Sequence, residues 1–270
     1  PLETPIIERY ENLAAKFAAG EDSDALKEIF KLKDQGNRDL GLRFDLTVPL
    51  ARFVAMNPTL KLPFKRYEMG PVFRDGPVRL GRIRQFWQCD VDTIGVRSNL
   101  AEAELLAVAD AVFKKLSLPV VIKVNNRKIL NGILEQAGIQ KKEDAIITID
   151  KLEKIGLPGV TAELTEKGYK KKQITDLFSL IKEDITLLNL KKKLKSGIGQ
   201  EGITEMEELF IYLKTMKVSS VKFDVSLARG LAYYTGTVFE VFAKKGPITS
   251  SLAGGGRWDN MIGNFIGGGR

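Results

Sequence analysis

No histidine occurs anywhere in the 270 residues, and cysteine occurs once, as Cys89. Imidazole general-base chemistry and the usual zinc sites are thereby excluded, as are an intrachain disulfide and a thiolate metal cluster. Also missing are an apolar run of membrane-spanning length and a signal-peptide pattern, so a cytoplasmic address is expected. The pattern G-x-x-x-x-G-K-[ST] is absent too, so a nucleotide site here would not be a P-loop. Gly197-Ile198-Gly199-Gln200-Glu201-Gly202 does fit G-x-G-x-x-G. It follows a lysine-rich segment, not a hydrophobic strand, and so lacks the setting of a dinucleotide fold. What is present is 44% hydrophobic residues, enough for a sizeable core, and a net charge of +8 that suits a polyanionic partner.

Residues 67–95, YEMGPVFRDGPVRLGRIRQFWQCDVDTIG, read as two antiparallel strands. β-favouring residues flank a loop marked by Asp75-Gly76-Pro77 and Gly81. Alternation places Arg82, Arg84, Phe86, Gln88, Asp90 and Asp92 on one face and Ile83, Trp87, Cys89 and Val91 on the other. The apolar face is expected to meet the core. The polar face suits a ligand with phosphates, an aromatic base and a cationic end, and it equally suits a solvated face with cross-strand ion pairs. Residues 42–48 also alternate. Leu42, Phe44, Leu46 and Val48 are expected inward, with Arg43, Asp45 and Thr47 together outside, before Pro49 opens a helix.

The opening residues read as the end of a strand entering a helix over 10–17. Asn99 with Glu102 resembles a capping box for a helix reaching Leu116. Residues 120–124 form a strand, and Asn125 or Asn126 caps a helix closed by Gly138. From about residue 138 to 217 lysine and helix formers dominate, and Thr204 with Glu207 is expected to cap a helix burying Phe210 and Leu213. Strand character returns at 221–225 and 237–242. Gly254-Gly255-Gly256-Arg257-Trp258-Asp259 is expected to be a turn where backbone approaches a ligand, though a mobile glycine-rich loop fits as well.

Phe73-Arg74, a loop, and then Gly81-Arg82-x-Arg84-Gln85-Phe86-x-Gln88-Cys89-Asp90-x-Asp92 closely resembles motif 2 of class II aminoacyl-tRNA synthetases in the histidine-specific form. Downstream, Arg229-Gly230-Leu231-Ala232-Tyr233-Tyr234-Thr235-Gly236-Thr237-Val238-Phe239-Glu240 resembles the histidyl-specific signature of that family. The resemblance spans nearly the whole chain, with little specificity between about residues 139 and 216.

The resemblance implies an α+β fold, with a class II synthetase-type antiparallel sheet flanked by helices and a helical insertion domain. It divides the chain into a first catalytic part (1–138), the insertion (139–216) and a second catalytic part (217–270). It further implies ATP-dependent activation of L-histidine to histidyl-adenylate and transfer to tRNA(His). Arg74 and Arg229 would be catalytic, gripping the α-phosphate from opposite sides, with Arg82 on the outer phosphates and Phe86 under adenine. Asp45, Thr47 and Gln88 would hold the α-amino group. Asp92 and Tyr234 would hold the imidazole nitrogens, with Tyr233 beside them. Magnesium would bridge the ATP phosphates through few protein ligands. A homodimer is implied, the Pro5 region matching the end of motif 1 at its interface. The insertion would lie against the tRNA acceptor stem, where lysines meet phosphates. Residues ahead of Pro1 are expected, and the motif 3 arginine and the anticodon-binding domain would fall beyond Arg270. The sequence departs from the family at Asp45, usually glutamate, at Ala232, usually aspartate, and at Asp75-Gly76-Pro77, whose acid and proline come one residue early. The alternative is a synthetase-like regulatory module that senses histidine or tRNA without adenylation. Retention of Arg74 and Arg229 favours the enzyme.

Overall fold

A computed structural model describes residues 2–14, 24–78, 80–182, 185–229 and 233–266. The architecture is α+β, and the chain forms two compact units, one from Pro1–Ser98 with Asp259–Arg270 and one from Asn99–Trp258.

The first unit opens with β1 (Ile7–Arg9), α1 (Tyr10–Ala14), α2 (Asp24–Lys27), β2 (Lys31–Lys33) and β3 (Asp39–Leu42). The helix expected over 10–17 is seen to Ala14, and its remainder lies outside the described residues. The strands form an antiparallel sheet in the order β1-β3-β2. Leu13, Ile29, Phe44 and Val48 make its core, with Tyr10, Leu26 and Phe265 against them. The apolar positions of 42–48 therefore do face inward, but the segment is not a strand. β3 ends at Leu42 and helix α3 (Thr47–Met56) starts within it. Asp45 Oδ1 accepts from Val48 N at 3.1 Å, which caps the helix, and Pro49 sits in the first turn, where no N–H partner is needed. Arg43 and Asp45, expected outside, are buried.

α3 leads into the hairpin of β4 (Phe64–Phe73) and β5 (Gln85–Ile94), paired from Phe64 opposite Ile94 to Phe73 opposite Gln85. Arg66, Glu68, Gly70 and Val72 share one face with Asp92, Asp90, Gln88 and Phe86. The expectation that the opposite, apolar face meets the core fails. Trp87 is 70% exposed, and Tyr67, Met69, Ile83, Cys89 and Val91 are exposed with it. The reason is the chain at 43–46, which lies across the polar face. Arg43 Nη1 donates to Glu68 at 3.0 Å and to Thr4 O at 2.6 Å, and Arg66 Nη2 donates to Leu46 O at 2.8 Å. Guanidinium groups this deeply buried are tolerated because carboxylates and carbonyls satisfy them.

The second unit begins with α4 (Leu100–Lys115), β6 (Val120–Asn126) and α5 (Arg127–Gln136). The Asn126 side chain caps α5, accepting from Lys128 N at 2.9 Å, and Gly138, at φ 70°, turns the chain out of it. The capping box expected at Asn99 and Glu102 is not formed: Asn99 donates to Glu208 at 2.7 Å, and Glu102 pairs with Arg257 at 3.1 Å. α6 (Lys142–Ile149), α7 (Leu152–Glu166), α8 (Lys171–Leu180), α9 (Leu187–Lys193) and α10 (Gly197–Thr215) fill the lysine-rich stretch. Their Ile146, Leu164, Leu177, Met206 and Leu209 share one core with Ile122 and Val124 of β6 and Ile129 and Ile133 of α5. At roughly 1.5–3 kcal/mol per fully buried aliphatic side chain, that core joins the helices firmly to the sheet.

α10 begins at Gly197, so Thr204 is no cap. Its hydroxyl donates to Gln200 O at 3.0 Å in mid-helix. The G-x-G-x-x-G glycines form the first turns of α10, where it crosses α5. A Cβ on Gly202 would lie 2.8 Å from Ile129 N, and one on Gly132 of α5 would lie 2.8 Å from Gly199 N. Packing, not nucleotide binding, accounts for Gly199 and Gly202. β7 (Val221–Phe223), β8 (Thr237–Ala243) and β9 (Ala253–Gly256) complete a sheet of order β7-β6-β8-β9, with β6–β7 parallel and the other pairs antiparallel. The glycine run expected as a turn is thus the edge strand β9, placing Gly254, Gly255 and Gly256 opposite Glu240, Phe239 and Val238.

Candidate active site

The candidate residues divide between the two units. In the first, all but Arg82 gather on the polar face of the β4–β5 hairpin and on the segment across it. Arg74 follows β4, where its Nε donates to Phe44 O at 3.1 Å, its Nη2 donates to Gln88 Oε1 at 3.3 Å, and its guanidinium stands 5.0 Å from the Phe86 ring centroid. A cation held by a carbonyl, an amide and a ring face is preorganised for an anion. Gln88 turns its other end to Asp90, donating to the two carboxylate oxygens at 2.9 and 3.1 Å. Asp92 Oδ2 accepts from Arg66 Nε at 3.0 Å, and Arg66 is also bonded to Glu68, which takes Arg43 as well. Asp45 stands at the start of α3, and Thr47 is the half-buried first residue of that helix. Arg82 is exposed ahead of β5. Arg84 lies 3.7 Å from Asp75 and donates to Gly76 O at 3.3 Å, which ties the loop to itself.

Burial, joined by the like charges of neighbouring acids, raises carboxyl pKa values on this face. Burial, aided by the like charges of Asp92 and Asp45 and opposed by the Gln88 hydrogen bond and Arg66, pushes Asp90 up to about 7. Burial also raises Asp92, against the pull of Arg66.

In the second unit Arg229 takes a positive φ of 33°, uncommon for a side-chain-bearing residue. Its guanidinium stands 5.4 Å from the Tyr234 ring centroid and 3.6 Å from Glu240 Oε1. Burial works against its charge, and Tyr234, Glu240 and Tyr233 more than offset this, so its pKa is raised. Space for it comes from β9, because a Cβ on Gly254 would run into Arg229 Nη1. Gly256 likewise lies against the Tyr234 ring, 2.8 Å from where its Cβ would be. Tyr233 and Tyr234 have hydroxyls 3.3 Å apart and ring centroids 4.4 Å apart. Ala232, one of the departures from the signature, lies outside the described residues.

Sequence reading gave no role to Arg43, Arg66, Glu68 or Glu240. For Arg66 and Glu68 the signal was available: the strict alternation of 64–73 places both on the face that carries Gln88 and Asp92. For Arg43 it was not, since its partners lie 25 or more residues away, and nothing in the spacing of residues 229–240 pairs Glu240 with Arg229.

The sequence profile of the family described as histidyl-tRNA synthetase matches residues 1–270. Histidine-tRNA ligase 1 of Bacillus cereus is 46% identical over 272 residues, which cover 99% of this chain and 62% of that protein. The crystal structure of histidyl-tRNA synthetase from a Nostoc species matches with a TM-score of 0.82 at 34% identity, covering 99% of this chain and 62% of that one. An ATP phosphoribosyltransferase regulatory subunit/histidyl-tRNA synthetase from Bacillus halodurans matches with a TM-score of 0.82 at 25% identity, covering 98% of this chain and 68% of that one. This chain therefore spans less than two thirds of the Bacillus cereus protein's length. With the family profile matched from end to end and a relative 46% identical over 99% of the chain, the chain belongs to the histidyl-tRNA synthetase family.

Proposed function

We propose that this chain carries the amino-acid-activating chemistry of its family, joining L-histidine to the AMP moiety of ATP and passing the histidyl group to tRNA(His). The observation that carries this reading is Arg74, fixed by Phe44 O, Gln88 and the Phe86 ring at the head of a strand face that continues into Asp90 and Asp92. A cation followed by carboxylates suits a zwitterionic amino acid lying beside a nucleotide.

In the first step a carboxylate oxygen of histidine attacks the α-phosphorus of ATP. The bond from that phosphorus to the bridging oxygen breaks, and pyrophosphate leaves with the electron pair. The nucleophile is already ionised, so positioning and positive charge supply the catalysis and no general base is required. In the second step a terminal ribose hydroxyl of tRNA attacks the acyl carbon and displaces AMP. Arg74 and Arg229 are assigned to phosphate oxygens, because guanidinium stays charged and binds them bidentately. Arg82 is assigned to the outer phosphates and Phe86 to adenine. Asp45, Thr47 and Gln88 are assigned to the α-amino group of histidine, and Asp92, Tyr233 and Tyr234 to its ring. Magnesium is assigned to the ATP phosphates, and residues 139–216 to tRNA. Among the described residues no helix is long and apolar enough to cross a membrane. The proposed setting is the cytoplasm and the proposed state a homodimer, a reading supported by the exposed Tyr67, Met69, Trp87 and Val91 on the outer face of the hairpin.

The test is pyrophosphate exchange into ATP by this chain, with and without L-histidine, beside Arg74→Ala and Arg229→Ala. Exchange that requires histidine and falls about a hundredfold or more in each variant is expected. Tight histidine binding in calorimetry without exchange would leave two readings, a regulatory module, as the Bacillus halodurans protein is also described, or a core that needs the segment carrying the motif 3 arginine, and adding that segment separates them.

A further inference from the structure

On the polar face of the hairpin and the segment across it, Asp45, Glu68, Asp90 and Asp92 stand near two buried guanidinium groups, Arg43 and Arg66. Those two cations are already committed. Arg43 pairs with Glu68 at 3.0 Å, and Arg66 pairs with Glu68 and with Asp92. Asp45, the residue the resemblance assigns to the substrate ammonium, has an oxygen occupied by the backbone N–H of Val48 at 3.1 Å. Its arm is also a methylene shorter than the glutamate usual at that position. Asp90 is different. Among the described residues its hydrogen-bond partner is the Gln88 amide, and no lysine or arginine forms an ion pair with it.

We propose that Asp90 is a further amino-acid-binding residue, whose carboxylate takes the α-ammonium group of the substrate together with Gln88. This assignment rests on the histidine-activating reading and redistributes one of its contacts. An ammonium group offers three donors on a compact charge and is best met by a carboxylate with neutral acceptors beside it. Asp90 supplies the carboxylate, and Gln88 supplies the amide oxygen that now accepts from Arg74. Strand geometry sets these groups at one face, with successive side chains about 6.6 Å apart, so Asp90 stands between Gln88 and Asp92, the two residues assigned to opposite ends of histidine. The charge balance points the same way. With Glu68 and Asp92 held by fixed guanidiniums, the negative charges left on this face are those of Asp90 and Asp45, and Asp45 already accepts from the backbone N–H of Val48. Burial, with the like charge of Asp92, raises the Asp90 pKa to about 7, and a ligand ammonium placed against it would favour its ionised form.

Calorimetry on the 270-residue chain tests this at about pH 8, above the Asp90 pKa. The probes are L-histidine and 3-(imidazol-4-yl)propionate, which keeps the ring and the carboxylate and lacks the α-ammonium. In Asp90→Asn, affinity for L-histidine is expected to fall tenfold or more and affinity for the deamino compound to stay unchanged, closing the wild-type preference between them. Asp92→Asn, at the ring end, is expected to weaken both. A loss in Asp90→Asn that is equal for the two ligands, or an L-histidine affinity that does not move, overturns the assignment and leaves the enzyme reading standing. Failure of the wild-type chain to bind L-histidine would bring down both. If Asp90→Asn does not fold, Asp90→Ser gives the same discrimination.

Discussion

A carboxyl group whose pKa lies near 7 in the folded protein holds a proton there that it releases in the unfolded chain, where an aspartate titrates near 3.9. Asp90 is in that position, faced by Asp92, Asp45, Arg66 and the Gln88 amide. Across the window from about pH 4 to pH 7 the native state binds more protons, so this residue's contribution to stability is complete below the window and is lost as pH rises through it. Asp90→Asn should remove the penalty. Thermal melts across a pH series are expected to show the variant more stable than the parent at about pH 8, by on the order of 1–3 kcal/mol, and equal to it near pH 4. A variant that is less stable at pH 8 would show that the carboxylate has a cation partner. Alternation alone was enough to put Gln88, Asp90 and Asp92 on one face, because a period of two survives any packing. Which face the protein would cover was not legible, since that depends on Arg43 and Arg66 finding carboxylates and carbonyls 20 or more residues away in the chain.

Elements were read well where the signal is local. Asn126 capping α5 and Gly138 ending it need only a few adjacent residues. The same capping pattern misled at Asn99 and Thr204, where a partner in a distant helix, Glu208, or the helix's own carbonyl at Gln200 takes the side chain. The crossing of α5 and α10 shows how helix packing can imitate a nucleotide motif. The Gly202 Cα faces the backbone of Ile129, which cannot step aside as a flexible side chain would. Gly202→Ala is therefore expected to destabilise by about 1–3 kcal/mol through overpacking, outweighing the better helix propensity of alanine, worth about 1 kcal/mol. Gly197, in the same helix, has nothing within 4 Å of its Cβ position. Gly197→Ala should change stability by no more than about 0.5 kcal/mol. Urea denaturation of the two variants separates the readings. Equal tolerance would mean that the crossing can open, and that the glycines answer to something other than packing.

At the scale of the whole molecule, a net charge of +8 is the excess of 42 basic over 34 acidic residues, and where that excess lies depends on which lysines are paired. Lys151 is bonded to Glu163, Lys167 to Asp144 and Lys191 to Glu207, pairings that composition could not disclose and that remove those charges from any phosphate interface. Lys170, Lys171 and Lys172 remain exposed at the start of α8, with no acid in the first turn. Cations there oppose the helix dipole, so they do not serve the stability of α8, and an anionic partner gives them a purpose. If tRNA is that partner, the binding constant should fall linearly with salt on logarithmic axes. Replacing the three lysines by alanine should flatten the slope by about 0.9 for each lysine that meets a duplex phosphate. Affinity should drop alike for cognate and noncognate tRNA, because phosphate contacts position without specifying sequence. Histidine-dependent pyrophosphate exchange should be unchanged, since the small substrates do not use this surface. Filter binding over a salt series, run beside the exchange assay, reads both quantities on the same preparation. A slope that does not change would take this end of α8 out of the RNA interface and leave the excess charge to lysines elsewhere on the chain.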